Sequence, residues 1–188
     1  VVSLGSGSKF LGVFDVERVN VAFWSGESGA ATIRETARRV ADAKRMPDGS
    51  RVDLETCSIL WSFDLPKLAR EHHLQALGET IKERSIDVAV VDPLYLALLS
   101  AETASQAGNL FTMGNALQPL GEIGQQTGCT MIVLHHFRKS GVPDQDEPAG
   151  LEELAQAGVA EWARQWCLLQ RRTPYQSDGR HELWLRAG

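Results

Sequence analysis

Cysteine is scarce in this chain of 188 residues, and its three copies, Cys57, Cys129 and Cys167, stand far apart. That spacing excludes a secreted disulfide framework and the close pairs of a zinc site, and the simplest setting is a reducing, cytoplasmic one. No apolar run approaches the ~20 residues that a membrane span needs, and there is no charged-then-apolar signal sequence, so no membrane partner is expected. Positive charge is also short. With 19 Lys and Arg against 24 Asp and Glu, the net charge of -5 excludes a protein coated in basic charge for non-specific nucleic-acid binding, though not a local patch. The chain also lacks an internal repeat and a Gly-x-x-x-x-Gly-Lys-Ser/Thr phosphate loop. Lys9 follows Gly5-Ser6-Gly7-Ser8, but Ser8 precedes it, Phe10 follows it and no helical pattern comes after. A helix terminus followed by a flexible turn fits that stretch better.

What remains is ordinary in bulk, 43% hydrophobic and 23% charged, with room for one sizeable core and one domain. The chain is organised around Ile86-Asp87-Val88-Ala89-Val90-Val91-Asp92-Pro93. An unbroken apolar run ending in an acid reads as a strand buried on both faces. Its carboxylate then emerges at the C-terminal edge, where open α/β sheets bind ligands. Similar runs at Val19 to Ser25, Cys57 to Phe63 and Cys129 to Leu134 alternate with helical patterns. The helices are expected over Ala30 to about Met46, about Pro66 to Arg84, and about Asn109 to Thr127, the last interrupted or kinked near Pro119. Ser28 is a candidate cap for the first helix, and its arginines Arg34, Arg38 and Arg39 read as a solvated face. Strand-helix-strand alternation of this kind predicts a mostly parallel sheet with right-handed crossovers. Ser100 to Gly108 and Ser140 to Gly150 read as loops, the second a disordered segment or lid. A helix around Leu151 to Ala163 and an antiparallel hairpin of Gln165 to Gln170 and His181 to Leu185, with its turn at Tyr175 to Gly179, complete the α/β assignment.

Three of these strands end in polar groups: Glu27 just after the first, Asp92, and then His135-His136 with Arg138 and Lys139. A carboxylate pair beside a histidine and cations suits phosphoryl transfer to water. That reaction needs a metal holder, a group that orients the water, and positive charge near the developing negative charge. His72 and His73 have no acid or cysteine at ligand spacing and read as surface or packing residues. A small-molecule enzyme using His135-His136 as a general base is a further reading, but no serine or cysteine nucleophile motif accompanies the pair.

From Phe10 to Arg172 the chain resembles the RecA-like core ATPases of the RepA and DnaB hexameric helicase group. The matching pieces are FLGVFDV, WSGESG, the Walker-B-like VAVVDP, the sensor-like VLHHFRK and AEWARQWCLLQRR. The resemblance implies one RecA-like ATPase core over residues 1–188, using ATP and Mg2+, assembled as a homo-oligomer of the hexameric ring type and acting on DNA, expected to be single-stranded. It implies that Glu27 activates the attacking water, that Asp92 serves the metal, and that His136, or its neighbour His135, senses the γ-phosphate. Arg138 and Lys139 stand where the group has basic residues that reach a neighbouring subunit's nucleotide or lie beside DNA-facing loops. Two departures qualify it. The group's phosphate loop should precede Phe10, so the core is expected to be incomplete at its N-terminus. Where the group carries an Arg-Gly-Ser-Ser-like arginine finger this chain has Leu154-Ala155-Gln156-Ala157, so the finger is expected to be either absent or supplied by Arg138 or Arg164. The alternative expectation is a non-catalytic RecA-like binding or assembly module.

Overall fold

The computed structural model describes residues 1–99, 110–138, 147–155, 158–174, 177 and 181–188. They divide into two compact units, one drawn from Val1–Ser100 with Gln118–Leu134, the other from Ala101–Leu117 with His135–Gly188.

The first unit opens with α1 (Val2–Ser6), a single helical turn that ends at Gly7 in the left-handed region, φ 79°, as expected for a helix terminus. Its sheet contains β1 (Val21–Ser25), β2 (Ile59–Ser62), β3 (Val88–Asp92) and β4 (Thr130–Val133), all parallel, in the order β2-β1-β3-β4. The crossovers run through α2 (Ala30–Ala43), α3 (Glu71–Glu83), α4 (Leu94–Leu98) and α5 (Leu110–Thr127), whose C-terminal part from Gln118 belongs to this unit. The four strands lie within the stretches expected for them.

β1 and β3 are the central strands and are buried on both faces, with Val21, Ala22, Ala89 and Val91 completely enclosed. Each enclosed valine contributes roughly 1.5–3 kcal/mol over leaving it in water. On one face Val21, Phe23, Val88 and Val90 form a cluster with Ile33 and Trp61, and the Phe23 and Trp61 rings meet edge-on at 5.7 Å. α2 adds Ala37 and Ala41 to a second cluster with Val2 and Val52. Its outer face is solvated as expected: Arg38 pairs with Glu35 and Asp42 along the helix.

Four local expectations are corrected. β4 is expected to be a buried strand but alternates, with Thr130 and Ile132 exposed and Met131 and Val133 half-buried; among the described residues it pairs with β3 alone and forms an edge of the sheet. α3 starts at Glu71 rather than Pro66, because residues 65–68 anchor elsewhere: Leu65 and Leu68 are buried, and the Leu68 N–H donates to the Ala97 carbonyl. The cap of α2 is Gly29, not Ser28, whose backbone is engaged by the Ser25 hydroxyl. α5 is not interrupted at Pro119 but continues through it as one helix.

In the second unit β5 (Cys167–Arg171) and β6 (Leu183–Ala187) form the antiparallel hairpin, about two residues later in the chain than expected. Trp166 and Gly188 exchange both backbone hydrogen bonds and close its open end, while Arg172 lies over the Trp184 ring, 4.8 Å from its centroid. The helix expected over Leu151 to Ala163 divides into a 3-10 turn, Leu151–Glu153, and α6 (Val159–Trp162). The backbone between them has other partners: Phe137 bridges Leu154, the Arg138 N–H donates to the Glu153 carbonyl, and the Ala155 N–H donates to the His136 carbonyl. Gly158, with φ 92°, then starts α6. Ser100 to Gly108 and all but Ser177 of Tyr175 to Gly179 lie outside the described residues, as does most of Ser140 to Gly150.

Candidate functional site

The parallel register sets Ser25 of β1 directly opposite Asp92 of β3, and the Gly26 N–H donates to the Asp92 carbonyl at 2.7 Å, carrying the ladder one residue further. Glu27 follows immediately. Two carboxylates are thereby brought to the C-terminal ends of neighbouring strands, the Glu27 residue exposed and Asp92 half-buried. The turn bearing Glu27 is shaped by Ser25, whose side chain is buried. Its hydroxyl donates to the Ser28 carbonyl at 2.9 Å and accepts from the Ser28 N–H at 3.3 Å. Gly26 is required by close approach: a Cβ there would lie 2.5 Å from the Leu65 Cδ2.

A residue that sequence reasoning missed joins this edge. The Asp92–Pro93 peptide is cis, and α4 begins directly after it. Tyr95 of α4 donates its hydroxyl to the Glu27 Oε1 at 3.2 Å. Partial burial, and then the Glu27 carboxylate beside it, hold the Tyr95 phenol above its ordinary range. α4 is itself fixed at its backbone. The Leu94 N–H donates to the Leu134 carbonyl at 2.8 Å, the Ala97 carbonyl accepts from Leu68, and the Leu96 carbonyl accepts from the Lys67 Nζ at 2.9 Å. The only sequence signal for Tyr95 was its place three residues past the acid; a contact 68 positions apart has no local signature.

The other candidates belong to the second unit. The His135 Nε2 lies 2.6 Å from the Ala155 carbonyl, while its buried Nδ1 has no hydrogen-bond partner among the described residues. Burial lowers its pKa, partly offset by the Ala155 carbonyl, and His136 lowers it further. That half-buried ring is committed to its own loop, whereas the next residue, His136, is exposed. Arg138 is exposed and its guanidinium donates to the Glu152 carbonyl. Lys139 lies outside the described residues. His73 has the structural task expected of it, its Nδ1 accepting from the Lys67 N–H at 3.2 Å. A cavity of about 430 Å3 in the first unit is lined by residues such as Arg18, Asp48 and Arg51 and includes none of the candidate residues.

The donor chemistry can be tested against Mg2+. Among the described residues no group of three or more His, Cys, Asp or Glu could hold a metal ion. Magnesium in phosphoryl-transfer sites is held by one or two carboxylates together with substrate phosphates and water, rather than by an all-protein cage. A half-buried aspartate at a strand end, with a second carboxylate on the neighbouring strand, fits that mode.

A parallel sheet of this order, flanked by helices and carrying acids at the ends of its two central strands, is a RecA-like ATPase fold. The chain belongs to the AAA domain family, whose model matches residues 1–142. Among solved structures it is similar to a KaiC-like protein from the hyperthermophilic archaeon Pyrococcus horikoshii OT3, with a TM-score of 0.52 and 16% identity. The match covers 90% of this chain and 64% of that protein's length, and at this identity it establishes the fold. No curated protein matches the sequence. Among the described residues no helix is long and apolar enough to cross a membrane.

Proposed function

We propose that this chain is the core of a helicase-type ATPase of the RepA and DnaB kind, which hydrolyses Mg-ATP and couples turnover to DNA replication or remodelling within a homo-oligomeric ring. The observation that carries the catalytic part is the register of Ser25 opposite Asp92, with Glu27 two residues on. In this reading Glu27 accepts the proton of the water that attacks the γ-phosphate in line with the leaving oxygen. Asp92 would hold Mg2+, which when bound neutralises charge on the phosphates. His136 senses the γ-phosphate, and Arg138 and Lys139 face a neighbouring subunit's nucleotide or single-stranded DNA.

The test compares the full-length protein with its Glu27→Gln variant. The carboxamide keeps the size of the side chain but cannot act as a base, and a positioned base is worth about 10²–10⁴-fold. Mg-ATP binding by calorimetry should be retained while turnover falls by that factor. Turnover at the parent rate would remove Glu27 from the mechanism. Failure of the parent to bind Mg-ATP at all would replace the catalytic reading with that of an assembly module.

A further inference from the structure

Building on the assignment of Glu27 as the base, we propose that Tyr95 is its positioning residue: the phenolic hydroxyl holds one carboxylate oxygen and so fixes the direction in which the other faces the attacking water. Glu27 sits on an exposed turn, and a glutamate side chain has three rotatable bonds there. The Ser25 turn and the Gly26 ladder bond fix its backbone but leave those torsions undetermined. The hydrogen bond from Tyr95 to the Glu27 Oε1 supplies a constraint at the far end of the side chain.

Tyr95 is suited to this task for two reasons. Its ring has only two torsions, and its helix is tied by backbone hydrogen bonds to Leu134 and Leu68, so the hydroxyl is delivered from a fixed frame. The phenol also stays protonated through the neutral range, because partial burial and the adjacent carboxylate raise its pKa, and it therefore remains a donor wherever Glu27 is ionised. The hydroxyl gives up no proton in the reaction. It acts through Glu27, not on the substrate.

Two measurements test the proposal, one of them independent of catalysis. The chain has two tyrosines, so in a Tyr175→Phe background Tyr95 is the one phenol, and its ionisation can be followed by absorbance at 295 nm with circular dichroism monitoring the fold. Replacing Glu27 by Gln in that background should move the phenol's titration to lower pH. An unmoved titration would show that the two groups do not meet in solution and would overturn the proposal. In steady-state hydrolysis Tyr95→Phe should lower kcat by about 10- to 10²-fold, the scale of a misplaced catalytic group, with KM for ATP within about twofold. Full kcat in Tyr95→Phe beside an inactive Glu27→Gln would refute positioning while leaving the base assignment intact. Full turnover in Glu27→Gln would refute both. A rise in KM with kcat unchanged would make Tyr95 a nucleotide contact and equally end the proposal.

Discussion

Replacing Gly26 by alanine tests the packing that sets the candidate site. The added Cβ would lie 2.5 Å from the Leu65 Cδ2, 3.0 Å from its Cβ and 3.2 Å from its Cγ. Carbon atoms rest at about 3.5–4.0 Å, so the turn and Leu65 must separate by roughly 1 Å. Neither has room to do so without cost. Leu65 is 6% exposed, and the Gly26 N–H is tied to the Asp92 carbonyl at 2.7 Å. Overpacking of this kind costs about 1–3 kcal/mol, and at ~2–4 °C per kcal/mol for a chain of this size the Tm should fall by about 2–12 °C. Leu65→Ala alone should cost about 2–5 kcal/mol through the cavity it leaves. In the double variant the new methyl enters space that Leu65 has vacated, so the combined loss should fall short of the sum by at least ~0.5 kcal/mol. Thermal unfolding of the four proteins, followed by circular dichroism, decides the matter. A Gly26→Ala protein with the parent Tm, or strictly additive losses, would refute the close approach.

Two further outcomes can be checked by unfolding experiments. Ile81 of α3 is 1% exposed, and Ile81→Ala should lower stability by about 2–5 kcal/mol in urea titration with an unchanged slope; a loss below ~1 kcal/mol would contradict its place in the core. His135 has its pKa lowered in the fold, chiefly by burial, so below the ordinary value of about 6.5 the unfolded chain binds the proton more readily. The stability present above that pH is therefore lost as pH falls through it towards the lower folded value, and His135→Gln should flatten this slope. An equal slope in the variant would place the titration elsewhere.

The sheet was legible in the sequence because its central strands are continuous apolar runs. The unbroken apolar run from Val88 to Val91 reads as a strand covered on both faces, and the acid that follows puts a carboxylate at the strand's C-terminal end. What escaped depended on contacts between distant segments. The late start of α3 follows from Leu68 bonding to Ala97, and the loss of the helix near Leu154 follows from pairing with Phe137. The alternation of β4 goes with its having one neighbouring strand among the described residues, which composition does not encode. The same holds for the site. Glu27 and Asp92 could be found because each ends a strand, whereas Tyr95 meets Glu27 only once β1 and β3 are in register.

That register bears on the choice between a polar strand end and a reacting group. A glutamate that merely keeps a buried strand soluble needs no fixed position, since water satisfies its carboxylate in any rotamer. Here the residue is constrained from several directions. The Gly26 N–H extends the β1–β3 ladder to its neighbour, the Ser25 hydroxyl closes the turn around it, Leu65 packs against Gly26, and Tyr95 reaches its carboxylate from a helix anchored at both of its ends. Each restraint removes conformational freedom that an exposed side chain would otherwise keep, at an entropic cost that the same side chain on a plain surface loop would avoid. Fixed orientation before the substrate arrives is what a group needs if it is to meet a water molecule in line with a phosphate, because a reaction that waits for the base to find its rotamer forfeits much of the advantage of proximity. The constraint on Glu27 therefore argues for chemistry at this sheet edge more strongly than the presence of the two acids does.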